Sequence, residues 1–561
     1  MNDALTTVFG LLGGLAVFIF GMNMMSESLQ KVAGDKMKAV LSVLTKNPLM
    51  GVLAGALVTA VLQSSSATTV LVIGFVSAGL MSLPQGISVI LGANIGTTMT
   101  AQLMAFKISD YIWPIVFIGF IISFVSKNEK VKYVGQTIFA FGLLFVGIET
   151  MGDVMKPLAS SPFFVDMMAK VSDIPVLGVV LGAAMTLVVQ SSSATIAVLQ
   201  NFASQAGPDG IHSVIGLAGA IPILLGDNIG TTITALLASV GQSKDAKRAA
   251  VAHSVFNISG SLVFIWIIGP FSKLVEKISP KGDELDIIAR QIANAHMSFN
   301  IINTLIWLPL IPLMVKIVTT LVKGSKEQSN EIENEVKYLD KNVLSQPMAA
   351  MVLVSKEINR AAEYTKGMLI NLRLAFEKND SKVLDEIDKS GQIVETIDKE
   401  TVSYISSLFS MGGLTEEQSA RTAGLMYVLN DIARVSSRCM DILPVARQKI
   451  ERRFEFSEVA IKELAESIQM SENMFDASIA ALTEGNQNTA RKVLKYRDEL
   501  HTMEKKYNKN HLKRLKKKNC KPEFTYPFST VLHNLERIGN GCGNIAEEVL
   551  EDVAFINLVE E

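Results

Sequence analysis

Cysteine is scarce: three in 561 residues, at Cys439, Cys520 and Cys542, with no CxxC pair. That excludes a disulfide framework and a dithiol redox motif, and it points to a reducing compartment. No GxxxxGK[ST] occurs, so the chain carries no P-loop motor and no sign of an enzyme of that class. A net charge of −2 offers no electrostatic footprint for nucleic acid. The opening MNDALTTVFGLLGG lacks a basic region and a small-residue cleavage site, and is read as a first span and not as a removed leader. Charge is also missing from one half: of 106 charged residues only 34 lie in positions 1–320. The chain is therefore a membrane domain, 1–320, a charged linker, 321–342, and a soluble domain, 343–561.

A span needs about 20 apolar residues, and seven candidates lie near 4–25, 84–106, 111–126, 133–152, 213–239, 249–270 and 293–320. Two more apolar stretches, near 50–80 and 176–204, are interrupted by QSSS, and each could cross or dip in and return. If both return, the loops carrying Lys31, Lys36, Lys38 and Lys46, then Lys127, Lys130 and Lys132, then Lys244, Lys247 and Arg248, share one side with the C-terminal domain. The positive-inside rule makes that side the cytoplasm. Re-entrant hairpins are thus expected, in a multi-pass protein of the cell's inner membrane.

The interruptions form part of a repeat. VLQSSSATTV at 61–70 returns as VQSSSATIAV at 189–198, and LGANIGTTMT at 91–100 as LGDNIGTTIT at 225–234. Gly21 and Gly147, Pro48 and Pro175, and Thr59 and Thr186 also correspond. Repeat 1 is read as about 4–126, repeat 2 as about 133–270, with an extra span at 293–320. Three spans in each unit invert the second copy, an architecture in which binding sites form at broken helices between the halves.

Irregular backbone survives at membrane depth only where protein or water satisfies it. A QSSS tip offers hydroxyls, an amide and a helix N-terminus, all suited to an anion. The expected anion site combines Gln63, Ser64, Ser65 and Ser66 with Gln190, Ser191, Ser192 and Ser193, joined by Asn94 and Asn228. Neither motif holds a cation, so bound cations are the economical source of balancing charge. Oxygen ligands for a hard cation are at hand in Thr68, Thr69, Thr97, Thr98, Thr195, Thr231, Thr232 and the lone acid Asp227. Ser, Thr and Gly are also ordinary packing residues of membrane helices; duplication is what argues for a site. For Asp227, whose counterpart is Ala93, a structural hydrogen bond and a cation role stand level. A smaller repeat, AHSVFN at 252–257 and AHMSFN at 295–300, sets His253, Asn257, His296 and Asn300 on helix faces, read as two helices joined by packing and not as ligands.

Paired QSSS with paired GxNIGTT resembles the type II sodium/phosphate cotransporter family over roughly residues 5–315. The resemblance implies inorganic phosphate as substrate, sodium as coupling ion with no further cofactor or metal, binding at the two QSSS tips, and a homodimer. Residues 345–555 resemble the phosphate-regulatory PhoU domain, which implies a phosphate-signalling partner. A membrane-anchored phosphate sensor and a phosphate exporter remain alternatives to the inward carrier.

The soluble half reads independently as long amphipathic helices with an internal duplication, LNDIARVSSRCMDI at 429–442 over LHNLERIGNGCGNI at 532–545, giving two three-helix bundles. The fold is thus all-α throughout. PhoU-like domains carry acidic ExxxD motifs that hold metal clusters; here Glu536 is followed by Asn540, and the first copy has Ala433 and Ser437. The basic run HLKRLKKKN at 511–519 is either a solvated turn or a contact with anionic membrane lipid.

Overall fold

The computed structural model describes residues 3–33, 47–106, 108–159, 161–323, 336–344, 346–378, 380–412, 414–451 and 456–555. Among them are twenty α-helices and no strand. The chain divides into two units near residue 327.

The first unit opens with α1, Asp3–Ala33. A hairpin follows, α2 (Pro48–Leu62) and α3 (Ser65–Ser77), then α4 (Leu83–Met104) and the short α5 (Ile112–Val125). The order then recurs in α6 (Glu129–Ala159), the small α7 (Pro162–Asp173), a hairpin of α8 (Pro175–Val189) and α9 (Ser192–Ala203), and α10 (Gly216–Ala238). Two broken helices complete the unit: α11 (Lys244–Phe264) with α12 (Ile268–Ile278), and α13 (Glu284–Trp307) with α14 (Ile311–Leu321).

Five helices are long and apolar enough to cross a membrane, and a sixth span arises if α13 and α14 count as one. Two expectations change. The stretch at 111–126 forms a helix of only 14 residues, about 21 Å long, against a hydrocarbon core of about 30 Å. The stretch at 293–320 is bent by 87°, because Pro309 and Pro312 cannot continue the hydrogen-bond ladder of α13. Each QSSS arm has 12–15 residues, about 18–22 Å, so both hairpins are too short to cross and turn back.

Close approach of glycines builds the repeat. A Cβ on Gly21 would lie 2.8 Å from the Leu144 nitrogen, and one on Gly147 would lie 2.6 Å from the Phe18 nitrogen. Gly10 faces Val154, and Gly14 faces Met151 and Gly147. The numbering falls along one helix as it rises along the other, so α1 and α6 are antiparallel and the two copies are inverted. The hairpins rest on the next helices in the same way. Gly55 and Gly92 bring α2 onto α4, against the backbones of Val89 and Val52; Gly182 and Gly226 bring α8 onto α10, against Ile223 and Val179. Small residues let membrane helices touch backbone to backbone.

The broken helices share the symmetry. Ser261 on α11 donates to the Leu225 carbonyl at 3.2 Å, and Thr304 on α13 donates to the Leu91 carbonyl at 3.3 Å. The span read as extra therefore has a counterpart in α11–α12, while α5 leaves α4 and packs on α6 through Gly119 and Gly142.

The second unit contains two three-helix bundles. The first is α15 (Pro347–Lys378), α16 (Lys382–Ser410) and α17 (Glu416–Ile450); the second is α18 (Glu458–Glu484), α19 (Gln487–Lys516) and α20 (Thr525–Leu550). Thr415 and Gln418 form a capping box at the start of α17, and Gly485, with φ +63°, ends α18 in the left-handed region. The linker's end is folded onto the first bundle. The N–H groups of Lys337 and Tyr338 donate to the buried Glu357 carboxylate at 3.0 and 2.8 Å, and the Tyr404 hydroxyl donates to the Asp340 carbonyl at 2.8 Å.

Candidate anion site at the two hairpin tips

At each tip the chain must leave one helix and start another within two residues. Gln63 (φ 53°) and Gln190 (φ 56°) take the left-handed conformation, two of four non-glycine residues to do so among those described. That region is costly for a residue with a Cβ. The glutamine side chain returns something for it. Nε2 of Gln63 donates to the Ala60 carbonyl at 2.5 Å, and Oε1 accepts from the Thr100 hydroxyl at 2.7 Å. Gln190 repeats this with Leu187 at 2.7 Å and Thr234 at 3.3 Å. Each glutamine thus caps its own helix and ties the tip to the following GxNIGTT helix.

Ser64 and Ser191 are N-caps, accepting the N–H of Ala67 at 3.1 Å and of Ala194 at 3.2 Å. This leaves Ser65 and Ser66, and Ser192 and Ser193, in the first turns of α3 and α9, where helix N–H groups lack intrahelical partners. The glutamine and first serine of each motif thus hold the shape of the tip, and the second and third serines, of which Ser65 and Ser193 are buried, remain with the N-terminal N–H groups as candidates for a ligand.

One turn deeper, the hydroxyls of Thr59 and Thr68 bond at 2.8 Å, and those of Thr186 and Thr195 at 3.1 Å. In the second copy Thr186 also donates to Oδ1 of Asp227 at 2.5 Å. Oδ2 of Asp227 and Oγ1 of Thr69 are enclosed without a hydrogen-bond partner among the described residues. Thr98 and Thr232 bond back to the Ile95 and Ile229 carbonyls, and Thr231 to that of Asp227. Thr97 is buried as well.

Asn94 and Asn228 sit away from this group in clusters of their own. Oδ1 of Asn94 meets His253 Nε2 at 3.2 Å and Asn257 Nδ2 at 3.4 Å; Oδ1 of Asn228 meets His296 at 3.4 Å and Asn300 at 3.5 Å. Their Nδ2 groups donate to Ile90 and Leu224. The two His/Asn helices do pack on each other, as Asn303 Nδ2 donates to the Phe256 carbonyl at 3.0 Å and Trp307 Nε1 to the Ser259 hydroxyl at 3.1 Å, but the four His and Asn residues are not the join: each pair grips the asparagine of one GxNIGTT helix. Sequence reading passed over Thr100 and Thr234, although both lie inside the repeated decapeptide.

In the second unit, Asn540 donates to Glu536 Oε1 at 3.1 Å, so the residues present do not fit an acidic metal cluster. His501, Glu504 and Glu536 gather with ligand atoms within 4.8 Å of one another, with His501 Nδ1 3.4 Å from Glu536 Oε1. Part of the basic run is occupied internally: Arg514 pairs with Glu463 at 2.8 Å and His511 stacks on Phe528.

A family profile described as Na+/Pi-cotransporter matches twice, over residues 17–153 and 154–304. The chain belongs to the Na+/Pi-cotransporter family. Together with the apolar helices this makes it a membrane protein. A PhoU domain profile matches 464–549, the second bundle. YqeW of Bacillus subtilis, an uncharacterized protein, is 33% identical over 305 residues, 54% of this chain and 95% of its own. A Salmonella typhimurium relative named "Putative inorganic phosphate export protein YjbB" is 24% identical over 97% of this chain and 98% of its own. The sodium-dependent phosphate transport protein 2A of Rattus norvegicus is 40% identical over 101 residues, 17% of this chain and 15% of its own. No solved structure matches.

Proposed function

We propose that this chain is a sodium-coupled secondary transporter of inorganic phosphate in the inner membrane, with its helical-bundle domain in the cytoplasm as a phosphate-responsive regulator. The observation that carries the reading is the pair of inverted hairpins whose tips present free serine-bearing helix N-termini. Such ends bind tetrahedral oxyanions. The charge of the anion is offset by sodium among Thr68, Thr69, Thr195 and Asp227, where Oγ1 of Thr69 and Oδ2 of Asp227 are enclosed without a partner among the described residues. An inward potential contributes about 2.3 kcal/mol per 100 mV for each net positive charge moved.

The test is flux of radiolabelled phosphate in proteoliposomes holding the full chain, with sodium and potassium gradients compared. Sodium-dependent flux that falls in Ser65→Ala and Ser192→Ala at unchanged membrane abundance supports the reading; unchanged flux in both variants removes the site. Export is the second reading, favoured by the relative that spans nearly all of the chain. It predicts net flux from the side of the helical domain. A sensor without transport predicts binding and no flux, and deletion of residues 340–561 would then abolish its output, whereas a carrier keeps transporting. A homodimer and a lipid contact at 511–519 belong to the same proposal, checked by mass photometry and by vesicle binding.

A further inference from the structure

Three consecutive residues of α4 make contacts to three different elements. Thr100 holds the tip glutamine Gln63; the Ala101 carbonyl accepts from Gln200 Nε2 on α9 at 3.1 Å; Gln102 Oε1 accepts from Arg290 Nη1 on α13 at 2.6 Å. Arg290 also donates to the Gln102 carbonyl at 3.0 Å and lies over the Phe106 ring. Gln102 Nε2 passes the network on to Asn294 at 2.9 Å. A guanidinium is thus held less than one turn of helix beyond the residue that anchors the first tip.

The twofold-related place at the other end of the site is built differently. Gln200, Gln102, Ala289 and Ala293 have as counterparts Ile73, Leu236, Ala246 and Ala250, which close into a small dry cluster. Arg290 has Lys247 as its counterpart. Lys247 is half-buried, and its ammonium meets no partner among the described residues, whereas neighbouring Arg248 bonds to the Val322 carbonyl and Asp245. The Val322 contact puts Lys247 at the end where the chain leaves the unit, and Arg290 at the opposite end. The polar closure is also incomplete, since Gln200, 4% exposed, keeps an enclosed Oε1 without a partner. Opening it exchanges protein bonds for water bonds at little net cost and hydrates that oxygen, whereas opening the dry closure exposes apolar surface.

We propose that Arg290 and Lys247 are a twofold-related pair of anion-receiving residues, one at each mouth of the hairpin site, and that the Gln102–Gln200–Arg290 network is the lock that withholds Arg290 while its mouth is shut. The tips supply only neutral donors. The cation that first attracts and orients a tetrahedral oxyanion stands just outside them, and charge at a mouth acts mainly on capture. This inference rests on the anion-site reading of the tips.

The test measures inorganic phosphate flux in both directions in proteoliposomes of the full chain, for Arg290→Gln, Arg290→Lys, Lys247→Gln and Lys247→Arg, together with equilibrium phosphate binding to each purified protein. The expected result is sided: Arg290→Gln raises KM about tenfold for phosphate arriving at its own mouth and leaves arrival at the other unchanged, and Lys247→Gln does the reverse. The charge-keeping variants should recover most of the loss. Unchanged KM, or an equal change from both sides, overturns the pairing even though the wild type transports. If the wild type binds phosphate but moves none, the transport reading falls and binding decides: Lys247→Gln must weaken it, and unaltered affinity overturns the inference. A wild type that neither binds nor moves phosphate removes the anion site and the inference with it.

Discussion

Thr186 donates its hydroxyl to one carboxylate oxygen of Asp227 at 2.5 Å, and both residues are sealed from solvent. The equivalent Thr59 has no acid to meet, because Ala93 stands there. The inverted halves are therefore alike in shape and unlike in charge.

Asp227→Asn keeps the volume and the hydrogen bond to Thr186 but removes the charge. If Asp227 serves the coupling cation, half-maximal flux should require at least about tenfold more sodium, the scale of one lost charge-assisted contact. A sodium titration of flux that overlays the wild type would leave Asp227 a structural hydrogen-bond acceptor.

Gln63→Leu should unpair the Ala60 carbonyl and the Thr100 hydroxyl inside the protein, at about 1–3 kcal/mol for each stranded group. Gln190→Leu should cost less, because Gln190 is exposed and water replaces what is lost. Melting temperatures in detergent check the order; equal shifts would show that the two tips are not held differently.

A Cβ on Gly92 or Gly226 would run into the carbonyl of Val52 or Val179. Gly92→Ala and Gly226→Ala should therefore force the hairpin off its helix, destabilising by about 1–3 kcal/mol or more, and appear as lost monodisperse protein in size-exclusion chromatography. Gly13→Ala, where nothing lies within 4 Å, should behave as wild type.

Burial pushes the thiols of Cys439 and Cys542 up, that of Cys542 to about 12. Thiolate is the reactive form, so a maleimide should modify the folded chain once, at the half-buried Cys520, and three times after denaturation. Intact mass spectrometry counts the adducts.

Much of this is legible in the sequence. The QSSS and GxNIGTT duplications located both tips, because a polar run inside an apolar segment has few physical uses. The correspondence of Gly21 and Gly147 was visible as part of the repeat, but that glycines form the helix seams emerged only from their contacts. Other features were opaque for definite reasons. The kink after Trp307 depends on two prolines inside a segment whose hydropathy is uniform, and α5 looked like a span because composition does not measure length. The partners of Asn94 and Asn228 lie 159 and 68 residues away at His253 and His296, a separation that pattern reading cannot bridge. Gln200 and Arg290 escaped because neither belongs to a repeated motif: they stand where the two copies differ.

The glycine seams have a mechanical consequence. Helices held by interlocking side chains must lift each knob out of its hole before they can shift. A hairpin lying backbone to backbone on its neighbour has few knobs to lift, so it can slip along the seam as a stiff blade. Its serines, at the blade's end, would then travel the whole distance of the slip.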